Sequence, residues 1–270
     1  MRRIVRWIPL LALLFAPWLH AEDTQACDDD TIEAVAHWGG VKGKLVSWNE
    51  EGGGLIAAAA CKAMPNAPGT TIAAIAFDTR HEGLGAQEGS KLQIIALVEA
   101  GKVVAAERSV IQEDAATVVD TRSYRIDTAP YLLAPGVRAF GVVFTSVAPG
   151  PSCPDASADE ELTLWLRDGK HLRAVFGSNL EGWVSAQGTA CSAGSGDALS
   201  ESAHMTIAVE KSASHGYADL SLTAHITQTQ RKNGDYTDTG KRVARTVLKY
   251  DGTTYGIDMF RQFWYPTSAR

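Results

Sequence analysis

Asp219-Leu220-Ser221-Leu222-Thr223-Ala224-His225-Ile226-Thr227 is the stretch that decides the fold. Leu220, Leu222, Ala224 and Ile226 recur at every second residue and so share one face of a β-strand, while Asp219, Ser221, Thr223, His225 and Thr227 share the other. The first face is expected to be core and the second wet. Asn233-Gly234-Asp235 then marks a turn, Lys241 to Tyr250 a returning strand, and Asp251-Gly252 a second turn into Thr253 to Ile257. Together these predict a three-stranded meander.

Upstream the same grammar repeats. β-branched, alanine-rich or aromatic runs at Lys44 to Trp48, Leu55 to Ala60, Thr70 to Phe77, Leu92 to Val98, Val103 to Ser109, Val137 to Thr145, Leu162 to Leu166 and Leu172 to Phe176 read as strands. Glu99-Ala100-Gly101-Lys102 and Arg167-Asp168-Gly169-Lys170 supply hairpin turns, so neighbouring strands are expected to run antiparallel. One short N-terminal helix is expected over Thr31 to Trp38, with Asp30 as its cap, Glu33 reaching back, and Gly39-Gly40 as its stop. The predicted fold class is all-β, an antiparallel β-sandwich or stacked meanders, with that single helix. The glycine-centred hairpins are unevenly spaced, which excludes a regular repeat. The strands also lack the paired aromatic girdles of an outer-membrane barrel.

Residues 1–21 stand apart from this pattern. Arg2, Arg3 and Arg6 precede an apolar run from Trp7 to Phe15, and Leu19-His20-Ala21 closes the segment. It reads as a secretory signal cleaved after Ala21, because the run is shorter than the roughly 20 apolar residues that a spanning helix needs. The twin-arginine route fits less well, since no Ser or Thr precedes the arginine pair. The expected location is periplasmic or secreted, without stable membrane insertion of the mature chain. Residues 22–270 are expected to form a single β-rich domain, with a proline-rich loop near 147–160 and a mobile Gly/Ser/Ala-rich loop at Ser192 to Ser202.

Four cysteines follow the signal: Cys27, Cys61, Cys153 and Cys191. An even number in an exported chain predicts two disulfides, of which Cys27 with Cys61 and Cys153 with Cys191 close the shortest loops without crossing. Lipidation of Cys27 is disfavoured, since Glu22 and Asp23 separate it from the apolar run and three thiols would remain. Structural zinc is disfavoured because no two cysteines stand two to four residues apart. The whole chain has 25 basic and 31 acidic residues, a formal charge of -6, and loss of three arginines leaves 22 against 31, or -9. Such acidity argues against binding nucleic acid.

No motif specifies a substrate. Ala193-Gly194-Ser195-Gly196 lacks the first glycine of a nucleophile elbow. His81-Glu82 runs into Gly83 and Gly85, so a zinc-protease helix fails. Asn233, Asp235 and Asp238 lack the spacing of a calcium loop. His204 and His225, on neighbouring strands, with Asp219, are the one candidate metal or proton-transfer trio, and would imply a metal-assisted hydrolase. The favoured expectation is instead a binding or inhibitor-type module with no catalytic residue, metal or cofactor, its partner a protein or a small molecule. The candidate partner surface is the terminal cluster Phe260, Arg261, Phe263, Trp264 and Tyr265, because aromatic and arginine side chains are enriched at interfaces. Ser221, Thr223 and His225 on the wet face are a second candidate ligand surface. The competing expectation for the tail is that it seals the core.

Overall fold

The computed structural model describes residues 25–47, 53–78, 89–188 and 197–266. The signal segment, His81-Glu82, Cys191 and the Gly194-Ser195 stretch lie outside the described residues. Its elements in chain order are α1 (Asp29–Gly39), β1 (Ile56–Ala63), β2 (Thr70–Phe77), β3 (Ser90–Glu99), β4 (Lys102–Gln112), β5 (Tyr124–Asp127), β6 (Leu132–Ala134), β7 (Val137–Arg138), β8 (Phe140–Phe144), β9 (Ala156–Asp168), β10 (His171–Gln187), β11 (Ala198–Ser214), β12 (Tyr217–Lys232) and β13 (Asp235–Leu248).

Eleven of these strands form one sheet, in the order β1-β2-β3-β4-β10-β11-β12-β13, with β9, β8 and β5 extending from the other edge of β10. The expected β-rich class with one short helix holds in its coarser form. The molecule is predominantly β with one short helix among the described residues, and its sheet is nearly closed and barrel-like, not clearly a sandwich. The reason lies in β10. It pairs with β9 along most of its length, while its opposite edge meets β4 at His171 and β11 only from Glu181 onward.

Hairpin chemistry sets the antiparallel order. Ala100-Gly101, His215-Gly216 and Asn233-Gly234 each place two successive residues at positive φ, the geometry of tight two-residue turns. The meander is nevertheless shifted by one strand from expectation, being β11-β12-β13. The segment expected as its third strand, Thr253 to Ile257, instead fills the vacant edge of β10. Tyr255 N–H donates to the Val175 carbonyl at 2.7 Å, and Ile257 bridges Gly177.

Helix α1 is capped by Asp28, whose carboxylate accepts the Thr31 N–H at 2.7 Å, so Asp30 is inside the helix rather than its cap. Gly40, at φ 73°, ends it as glycine can. The helix lies on β2 and β3, where Val35 and Ala36 pack with Ala73, Ile75, Phe77, Leu92 and Ile94. A Cβ on Gly39 would come within 2.4 Å of Ile94, so this close approach requires glycine. The opposite face of the same strands, with Ile72, Ala74, Ala76, Ile95 and Leu97, lines the barrel interior. Covered on both sides, β2 reads as an unbroken apolar run without alternation.

Cys27 and Cys61 form a disulfide that ties the segment before α1 to β1. Cys153 is also disulfide-bonded. None of the described helices is long and apolar enough to cross a membrane. Of the other expected strands, Lys44 to Ser47 provides only an isolated bridge from Ser47 to Ile56, and Ala156 to Glu160, expected as loop, begins β9. Ala198 to Ser202 likewise starts β11.

Candidate functional site

Strand β9 separates two cores. Leu162, Leu164 and Leu166 face the second core, built with β10, β11 and β12, whereas Glu161, Thr163 and Trp165 alternate with them and face the barrel interior. Opposite stand Gln93 and Ile95 of β3, Ile111 of β4, and Val142 and Phe144 of β8. Because β4 joins β10 through the single register pair Ala106 with His171, the wall does not close above it. These side chains and Thr117 enclose a cavity of about 200 Å³.

A wider depression of about 500 Å³ adjoins it, sharing Thr117, Phe144 and Glu161. Its outer lip is Pro149, Pro151, Asp159 and Phe260. The two form one cleft of mixed apolar and polar walls, with Phe144, Trp165 and Phe260 as its aromatic residues and no lysine, arginine or histidine among its lining residues. A concave site in which aromatic and apolar side chains stand beside a few convergent polar groups is a form that small-molecule sites take.

Three of its polar groups differ in their partners. Gln93 is committed: its Nε2 donates to the Tyr124 hydroxyl at 2.6 Å, and its Oε1 accepts from Ser109 at 2.8 Å. Tyr124 itself is buried, which holds its phenol far above the ordinary tyrosine range. Glu161 and Trp165 are uncommitted. The Glu161 carboxyl has no hydrogen bond or ion pair among the described residues, and burial, followed by the charge of Asp159, raises its pKa above the ordinary glutamate value. The Trp165 indole N–H is buried without a hydrogen-bond partner. Groups of this kind are costly unless something satisfies them.

The sequence-predicted candidates lie elsewhere or are otherwise engaged. In the terminal cluster Trp264 is 1 % exposed and packs on Gly182, where a Cβ would come within 2.7 Å of its ring. Arg242 donates to the Trp264 carbonyl at 2.5 Å. Arg261 donates to the carbonyls of Gly256 and Gly177 and sits over the Phe176 ring, while Phe263 and Tyr265 pack partly buried against the second core. Only Phe260, 67 % exposed, projects from the cluster, and it reaches the cleft. The tail therefore seals the core and contributes one ring to the site.

On the wet face His204 and His225 are direct register partners, and His204 Nδ1 lies 2.5 Å from Glu181 Oε1. Asp219 does not join them. It is six residues from His225 along β12, roughly 20 Å at about 3.4 Å per residue, and accepts a hydrogen bond from Ser212. The trio is thus not assembled, and no group of three or more metal-ligating side chains occurs among the described residues. Ser221 is buried, leaving Thr223 and His225 as the more accessible part of that face.

Glu161, Thr163 and Trp165 were not singled out by sequence reading. Their alternation with three leucines is visible in the chain, but it reads as an ordinary wet face until the topology covers both sides of β9. No protein-family model matches the chain, and neither a curated protein nor a solved structure matches it.

Proposed function

We propose that the protein is an exported, non-catalytic binding module that takes a small ligand with an apolar body and an amine head into the β3/β4–β8/β9 cleft. The observation that carries this is the uncommitted Glu161 carboxyl within an aromatic cavity that has no basic lining residue. An ammonium group would supply Glu161 with a charge-assisted hydrogen bond, and Phe144, Trp165 and Phe260 offer ring faces to the cation and its apolar body. The disulfide between Cys27 and Cys61, together with the arginine-led apolar segment at the N-terminus, supports a periplasmic or secreted setting.

Calorimetric titration with phenethylamine, and with phenylpropanoate as the acid of similar shape, tests this reading. The amine is expected to bind and the acid not. Glu161→Gln is expected to weaken amine binding by roughly tenfold or more, the scale of one charged hydrogen bond. Equal binding of amine and acid, or an unaffected variant, contradicts the reading.

A further inference from the structure

Strand β13 ends the sheet, and its outer edge has no pairing strand among the described residues. Fourteen residues long, it is the kind of edge that natural proteins shorten, cover or pair. It also carries two strongly exposed large apolar side chains, Tyr236 at 71 % and Val243 at 63 %.

A bulge sets what can pair with it. Along β12 the register runs Gln228 with Gly240 and then Thr229 with Asp238, so Thr239 is the extra residue. Tyr236 and Asp238 before the bulge therefore share a face with Lys241 and Val243 after it, although their numbers differ in parity. A strand that pairs antiparallel with its own copy must place residues of one face opposite each other. For β13 the register that satisfies this on both sides of the bulge centres between Thr239 and Gly240. In it Asp238 faces Lys241 of the second copy, Tyr236 faces Val243, Thr237 faces Arg242 and Asp235 faces Ala244.

By symmetry each contact occurs twice, giving two opposite-charge pairs and two aromatic–β-branched pairs, both favourable across strands. Registers confined to the residues after the bulge offer no opposite-charge pair, since that segment has Lys241, Arg242 and Arg245 but no acid, and centring on Val243 sets Lys241 against Arg245. We infer that β13 is a homodimer interface in which two copies join edge to edge through this register, making one continuous sheet across the pair. The occupant is a second copy of this chain, because in this register the edge meets itself with opposite charges and with Tyr236 against Val243.

Analytical ultracentrifugation over a concentration series tests the inference, with circular dichroism confirming that each variant is folded. The wild-type protein is expected to dimerise reversibly. Asp238→Lys and Lys241→Asp, each of which sets like charges opposite one another twice, are expected to weaken dimerisation by roughly tenfold or more. The double variant Asp238→Lys/Lys241→Asp is expected to restore it, which a merely structural effect of either substitution would not do. A wild-type protein monomeric at every concentration, or a dimer indifferent to the single substitutions, overturns the inference. So does failure of the folded double variant to recover.

Discussion

The side chain of Gln25 pairs with the backbone of Ile126 as a short strand would. Its Nε2 donates to the Ile126 carbonyl at 3.0 Å, and its Oε1 accepts the Ile126 N–H at 2.5 Å. The Gln25 carbonyl meanwhile accepts the Cys61 N–H at 2.8 Å. One residue thus bridges β1 and β5, the two edges between which the barrel-like sheet would otherwise stay open, and the disulfide two residues on holds it there.

Gln25→Ala leaves a donor and an acceptor of Ile126 unsatisfied at this seam. A loss of about 1–3 kcal/mol is expected in denaturant unfolding, with faster hydrogen exchange at the Ile126 amide. An unchanged amide would show that the seam is held by other contacts.

The disulfide and Gln25 act on the same segment, so their effects should couple. Replacing both Cys27 and Cys61 by serine is expected to cost about 4 kcal/mol by the loop-entropy relation. Gln25→Ala made in that background should then cost less than in the intact protein, by at least about 0.5 kcal/mol. Strict additivity would separate the two.

In the tail, Trp264 and Phe260 are expected to behave oppositely. Trp264→Ala opens a cavity over Gly182 and should cost about 3–5 kcal/mol. Phe260→Ala should stay within about 0.5 kcal/mol, as exposed substitutions usually do, while weakening ligand binding at the lip of the cleft. Thermal and denaturant unfolding distinguish them.

Glu161 imposes a pH dependence of determined sign. Its folded-state pKa is raised, chiefly by burial and then by Asp159, so the folded state binds protons more tightly than the unfolded chain. Its favourable contribution is complete below the unfolded carboxylate range and is lost as pH rises through the folded value. Glu161→Gln is therefore expected to raise the melting temperature at neutral pH, with the gain vanishing near and below about pH 4, the unfolded range. A gain that grows on acidification would contradict the assigned environment.

Strands whose two faces differ were legible in the sequence, and their partners were not. Leu220, Leu222, Ala224 and Ile226 announce β12 because one face is apolar and the other polar, whereas Thr70 to Phe77 marks β2 to the residue as a continuous apolar run bounded by turn residues. The His215-Gly216 turn went unread, since it lacks the Asn-Gly or Asp-Gly pair that usually signals a two-residue hairpin. Closure into a barrel-like sheet depends on a side chain acting as backbone at Gln25, which no periodicity reveals. The aromatic tail was visible as a cluster, but the choice between interface and core depended on Gly182 being bare enough to receive Trp264. The cleft was hidden because Glu161 and Trp165 look solvated until β3 and β8 are brought opposite them.

A small amphipathic amine entering the cleft beside Glu161 would be sensed by the indole N–H of Trp165, which is buried without a hydrogen-bond partner. In ¹⁵N-labelled protein, with the signal assigned by its absence in Trp165→Phe, titration with phenethylamine should shift the Trp165 Nε1–H peak saturably and leave that of Trp264 in place. A Trp165 peak that stays fixed through the titration, or shifts equally with phenylpropanoate, would mean that the cleft is not an amine site.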